Sequence, residues 1–153
     1  MHIRHIFCPT DFSAGSHEAF ETALVMATDS GARLTLFHVL HVPPMVFPDV
    51  MLPTTTELMR ELEEAAEHQL QALCARARAA GVVSDYQTAF GTTHAEICAA
   101  AEQAGVDLIV IGTHGRGGFS HAILGSVAEK VVRKAQCPVL TVRSQMHSTF
   151  AHQ

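Results

Sequence analysis

Apolar positions along this chain follow two alternating rhythms. Five short runs carry the dense or every-second-residue pattern of strands: 3-IRHIFC-8, 33-RLTLFHVL-40, 84-SDYQTAF-90, 107-DLIVIG-112 and 138-PVLTVR-143. The fourth is nearly continuous in apolar residues, as expected of a parallel strand covered on both faces. Between these runs the spacing lengthens to that of helices. From Ser13 to Ser30, Ala19, Phe20, Ala23, Leu24 and Ala27 recur at helical intervals, and Gly31 supplies the stop. The longest helix is expected from Thr55 to Ala80, with Leu58, Leu62, Ala66, Leu70, Leu73 and Ala77 as its buried stripe. Thr54 with Glu57 reads as its capping box and Gly81 as its end. Glu61, Glu63, Glu64, Glu67 and Arg76 lie off the stripe and read as a solvated face. A second capping box, Thr93 with Glu96, opens a helix that Gly105 closes. The last helix opens at Ser126 and carries Lys130, Arg133 and Lys134 toward its C-terminal end, where cations suit the dipole.

Strand and helix alternate throughout, which predicts an α/β fold with a parallel sheet and right-handed crossovers. Five strands and four helices fit a flavodoxin-like, Rossmann-like doubly wound arrangement with strand order 3-2-1-4-5. Ligands of such sheets bind beyond the carboxyl ends of the strands, where the winding reverses. Here that crevice falls between the ends of the first and fourth strands. The residues there are 8-CPTDFS-13 and 112-GTHGRGGFSHAILGS-126. The second stretch holds five glycines in fifteen residues, enough for a backbone to approach a ligand with no Cβ in the way.

Composition narrows the field. At 153 residues and 48% hydrophobic, the chain fits one compact domain with a core of its own. A net charge of −5 argues against a nucleic-acid or anionic-membrane surface, so a bound anion would have to be held by local geometry. No apolar run approaches the roughly 20 residues of a membrane span, and the N-terminal stretch lacks the apolar core of a signal peptide; a cytoplasmic protein is expected. Cys8, Cys74, Cys98 and Cys137 form no C-x-x-C pair, which speaks against a disulfide framework or a thiolate zinc site. The eleven histidines include no H-E-x-x-H or similar spacing, and no metal site is expected.

Backbone N–H groups in the glycine stretch can converge on an anion, and the helix opening at Ser126 adds unpaired donors and a favourable dipole. Ser126 offers a hydroxyl and Arg116 a charge, so a phosphate chain is the natural guest. The P-loop lysine is missing. Gly115 and Gly117 begin a G-x-G, but Ser120 stands at the third glycine and no acidic residue follows about 20 positions on. A receiver-like phospho-acceptor is also absent, since the third strand ends 88-TAFGTT-93.

The spacing Gly112-x2-Gly115-x9-Gly125-Ser126 resembles the G-x2-G-x9-G-[S/T] signature of the universal stress protein family, in its ATP-binding branch. The likeness spans almost the whole chain and includes 9-PTDFS-13, 38-HV-39 and 137-CPVLTV-142. It implies a single domain over residues 1–143 with a polar tail at 144–153. It also implies ATP or another adenine nucleotide as ligand, with or without Mg²⁺. By this resemblance Pro9, Thr10 and Asp11 border the adenosine, with Asp11 bonding base or ribose. Val39 contacts the adenine and Ile111 lines the floor, while Gly112, Gly115, Arg116, Gly125, Ser126 and Val127 surround ribose and phosphates. Asp11 is equally suited to capping the first helix, Arg116 to solvation, and Val39 and Ile111 to the core.

Three functions stay open on the sequence. One is a nucleotide-holding stress regulator acting as a homodimer, paired through Pro138 to Arg143, where family members often dimerise. The second is a slow ATPase or phosphotransferase, although no Ser–His–Asp set or paired carboxylates stand near the glycines. The third is a chaperone-like scaffold using 41-HVPPMVFPDVMLPTT-55, whose prolines and apolar residues suit a lid or a contact patch.

Overall fold

The structure, a computed structural model, describes residues 1–41, 55–114 and 124–144. In chain order the elements are β1 (His5–Pro9), α1 (Ala14–Ser30), β2 (Arg33–Leu40), α2 (Thr55–Ala79), β3 (Ser84–Phe90), α3 (Thr93–Gln103), β4 (Leu108–Gly112), α4 (Ser126–Lys134) and β5 (Val139–Val142). The strands form one parallel sheet in the order β3-β2-β1-β4-β5, as the alternation predicts.

Alternating strand residues serve two separate cores, which is why the central strands read as continuous apolar runs. Ile6, Cys8, Leu34, Leu36, Leu108 and Val110 pack with Phe20 and Ala23 of α1 and Leu70, Cys74 and Ala77 of α2. Their sequence neighbours Phe7, Phe37, Val39, Ile109 and Ile111 pack with Ile97 and Ala101 of α3 and Ala128 and Val131 of α4. Each large side chain buried this way contributes about 1.5–3 kcal/mol. On α2 the fully buried stripe is Ala66, Leu70, Cys74 and Ala77, with Leu58, Leu62 and Leu73 half-buried. Cys74 was not among the expected stripe residues, yet it falls four positions after Leu70.

The helix ends follow local chemistry. Ser13 caps α1, its hydroxyl accepting the N–H of Ser16 at 3.3 Å, and Gly31 ends the helix at φ 71°, where a Cβ would be strained. The expected capping box at Thr93 is not formed. The N-cap of α3 is Thr92, which makes no side-chain cap, and the Thr93 hydroxyl pairs with Nε2 of His41 at 2.9 Å. Of the expected Thr54–Glu57 box, Glu57 lies in the first turn of α2 and Thr54 falls outside the described residues. Two members of the expected solvated face are engaged as well. Arg76 bridges to Glu21 on α1 at 2.6 Å and lies over the ring of Phe20, and Glu63 accepts from the Thr88 hydroxyl at 2.9 Å.

At the amino ends of the strands, polar groups are stitched together. Asp107 accepts the N–H groups of Arg4 and His5, each at 2.9 Å. The buried ring of His5 pairs through Nε2 with the Thr35 hydroxyl, which donates to Asp85, while an Arg33 guanidinium nitrogen lies 3.0 Å from Nδ1. A guanidinium only donates, so Nδ1 accepts and Nε2 carries the proton. Burial first, and the Arg33 charge second, lower the pKa of His5.

The opposite end of the sheet is uneven. β1 stops at Pro9, opposite Phe37, while β2 continues to Leu40. The sheet therefore has a notch at its centre, where the winding reverses.

Candidate functional site

A cavity of about 1000 Å³ opens at this notch. Pro9, Thr10 and Asp11 enter it from the end of β1, Val39 from β2, Ile111 and Gly112 from β4, and Gly125, Ser126 and Val127 from the start of α4. Nine of the eleven positions singled out in the sequence thus share one wall-to-wall space. The other two, Gly115 and Arg116, lie outside the described residues, as does most of the proline-rich segment.

The turn after β1 is held by a dense set of hydrogen bonds. The N–H of Thr10 donates to the Phe37 carbonyl at 2.8 Å, extending the sheet by one rung. The Thr10 hydroxyl accepts the Phe12 N–H at 3.0 Å and donates to Ser16 Oγ at 3.1 Å. Asp11 Oδ1 accepts the Ser13 N–H at 3.0 Å. The helix cap is therefore Ser13, and Asp11 braces the turn one step upstream of it. Between them Phe12 adopts φ 62°, a left-handed conformation that costs a non-glycine residue energy. In return its ring lies against His38, centroids 4.6 Å apart. His38 Nδ1 sits 2.7 Å from the Thr10 carbonyl, so that nitrogen bears the proton.

The described glycines let backbone segments approach one another at this end of the sheet. A Cβ on Gly112 would lie 2.6 Å from the Gly15 carbonyl oxygen, and one on Gly125 would lie 2.5 Å from that of Thr113. A Cβ on Gly15 would overlap the His114 carbonyl. At these three positions backbone meets backbone, which leaves no room for a side chain. Gly125 has an ordinary φ of −59°, and its N–H is already donated to Thr113 at 2.6 Å. Among the described residues of this stretch, the first turn of α4 offers donors to a ligand, its N-cap Gly125 making no side-chain cap.

The base of the cavity is largely apolar. Phe37, Val39 and Ile111 come from the strands, and Leu62 and Ala66 of α2 with Ile97 of α3 close the sides. The helix residues carry no signal in the sequence beyond an apolar stripe, since their part in the cavity depends on tertiary packing. The Phe37 carbonyl faces β1, so the backbone groups of Val39, two residues on, face the same way but past the end of β1. Among the described lining residues Asp11 is the one carboxylate, and none is a lysine or arginine. His114 also lines the cavity, with Nδ1 2.9 Å from the Thr113 hydroxyl. Cys8, next to the site, is no nucleophile: burial pushes its thiol up to about 12. The described residues contain no group of three or more side chains able to hold a metal ion.

Comparison with known proteins gives a consistent picture. The profile of the Universal stress protein family matches residues 2–143. The chain is 33% identical over 144 residues to universal stress protein A homolog 1 of Coxiella burnetii, covering 93% of this chain and 97% of that one. Among solved structures it resembles the hypothetical protein MJ0577 of Methanocaldococcus jannaschii, with a TM-score of 0.83, 29% identity, and coverage of 95% and 99%. A universal stress protein family member from Arabidopsis thaliana, solved with AMP bound, shares the fold at a TM-score of 0.66 and 24% identity, covering 92% of this chain and 91% of that one.

Proposed function

The chain belongs to the universal stress protein family, and from that premise we propose that it is an adenine-nucleotide-binding regulator, with ATP as ligand, acting as a cytoplasmic homodimer. Residues 1–143 form the functional domain in this reading, and 144–153 a polar tail.

The observation that carries the proposal is the cavity itself. At a single switch point it places a carboxylate on one side, an uncapped helix N-terminus on the other, and an apolar base between them. That is the polarity of a nucleotide. The base lies against Val39 and Ile111, whose side chains suit a flat heterocycle, with the Val39 backbone turned toward its edge. Asp11 accepts from ribose or base donors. The phosphates lie at the first turn of α4, where the N–H groups of Ser126 and Val127 and the Ser126 hydroxyl donate and the helix dipole favours negative charge. Gly115 and Arg116 complete the phosphate end by their place in the motif. Mg²⁺, where present, arrives on phosphate oxygens and water, since the described residues supply no metal cluster of their own.

The AMP seen in the Arabidopsis relative supports an adenine nucleotide. To test the reading, the protein is purified without added nucleotide and denatured, and released small molecules are identified by mass spectrometry. A parallel titration with a fluorescent ATP analogue measures affinity. The absence of both a released adenine nucleotide and saturable binding of the analogue would sink the proposal. Turnover is expected far below the ~10 s⁻¹ typical of enzymes.

A further inference from the structure

We propose that Phe12 is a positioning residue of this site: its left-handed backbone, clamped by the ring of His38, holds the Asp11 carboxylate in place for the nucleoside before a ligand arrives. The inference rests on the nucleotide reading above.

The kind of residue found at this position is the first observation. Among the described residues Phe12 is the one non-glycine with a positive φ, 62°. Glycine takes that conformation without strain, and asparagine with little. A phenylalanine persists there only where contacts of its ring offset the backbone strain.

Those contacts form a closed circuit that starts and ends on Thr10. The Thr10 hydroxyl accepts the Phe12 N–H at 3.0 Å, and the Phe12 ring lies against that of His38, centroids 4.6 Å apart. His38 Nδ1 donates in turn to the Thr10 carbonyl at 2.7 Å. Thr10 is buried, and its own N–H is tied to the Phe37 carbonyl, so the circuit is anchored to the sheet. Phe12 also packs against the core that holds Ile6, Phe20 and Leu70.

Asp11 lies inside this circuit, between Thr10 and Phe12. Its Oδ1 accepts the Ser13 N–H at 3.0 Å, and the place of that N–H depends directly on the backbone angles of Phe12. Rotation of Phe12 to an ordinary negative φ would carry the Ser13 N–H away and release the carboxylate. Asp11 lines the cavity and is the one carboxylate among the described lining residues. The group held is therefore the one assigned to ribose or base, and a group already in place loses no freedom when the ligand binds.

The test is a double-mutant cycle on Asp11→Ala and Phe12→Gly, read by calorimetric titration with ATP and with adenosine. Phe12→Gly still reaches φ 62° but is no longer clamped there, so binding must fix that residue. The expected loss of affinity is about fivefold to thirtyfold, the cost of fixing the backbone of one residue. It should be equal for ATP and adenosine, because Asp11 faces the nucleoside. In the Asp11→Ala background the same change should alter affinity less than about twofold. Phe12→Tyr keeps the ring and should bind nearly as well as wild type. Wild-type affinity in Phe12→Gly overturns the proposal, as does a tyrosine variant as weak as the glycine one. So does a loss that persists undiminished in Asp11→Ala, which would mean that Phe12 acts by its own contacts, or a loss confined to ATP. Should Phe12→Gly not fold, hydrogen exchange at the Ser13 amide of nucleotide-free wild type decides. Slowed exchange supports a turn set before binding, and exchange at the unprotected rate overturns it. Wild-type protein that binds neither ligand overturns the nucleotide reading itself, an outcome distinct from failure at Phe12.

Discussion

At the scale of single residues, Asp11 and His5 carry opposite kinds of information. Asp11 was readable as either a helix cap or a ligand acceptor, and the geometry separates the two, because Ser13 is the cap and Asp11 Oδ1 takes the Ser13 N–H. Asp11→Ala is therefore expected to weaken adenine-nucleotide binding by about 1–3 kcal/mol, with a smaller loss of stability from the turn. Titration and a melting curve on the same sample check the two separately; full affinity with a large fall in melting temperature would make Asp11 structural only. His5 gives a pH dependence. Its folded pKa lies below the ordinary 6.5, so the unfolded chain takes up the proton first. Stability from this group is complete above pH 6.5 and is lost as pH falls from there through the lowered folded value. Asp107 acts lower down: hydrogen bonds from the Arg4 and His5 N–H groups hold its carboxyl below the usual 3.8, and its contribution disappears only as pH falls through that lowered value. Urea midpoints measured from pH 7.5 to 5.5 should fall on acidification, and less steeply in His5→Gln. Equal slopes would remove His5 as the cause.

At the scale of elements, the apolar pattern located every strand and helix described, since each strand face has its own core and each helix a single stripe. What it missed has local causes. Two adjacent threonines at 92 and 93 look alike as caps, and only the position of His41 shows why Thr93 is used elsewhere. Cys74, left off the expected stripe, belongs to it. Within the site, the strand-end residues were legible because topology alone puts them together, whereas Leu62, Ala66 and Ile97 come from helices whose approach no spacing reveals. The left-handed Phe12 has no sequence signal at all, phenylalanine being a poor candidate for that conformation. The close backbone contacts change the prediction for the glycines. Gly125→Val puts a Cβ against the Thr113 carbonyl, so the loop must shift, at a cost of about 1–3 kcal/mol for overpacking. Reduced melting temperature and reduced nucleotide affinity should appear together. A variant as stable as wild type would show that the loop yields freely.

At the scale of the whole molecule, β5 ends the sheet. The Pro138 and Val142 carbonyls accept from Ile109 and Thr113 of the β4 side, so the backbone groups of Thr141 alternate to the outer edge. Leu140, with 36% of its surface exposed, adds apolar area there. Pairing of two copies along this edge is the homodimer we propose. Thr141→Pro removes an outward donor and leaves the β4–β5 rungs intact, so light scattering should show a dimer for wild type and a shift toward monomer for the variant. A wild-type monomer at high concentration, or a variant that dimerises as well as wild type, counts against this edge. The polar stitching around His5 has a further consequence at this scale. It lies at the amino ends of the same strands whose carboxyl ends bear the cavity. Acid draws population toward the unfolded chain, and any molecule held only by the folded form draws it back. The amount of intact protein in a cell would then be a joint readout of acidity and ligand supply, obtained by mass action with no change of shape to carry the message.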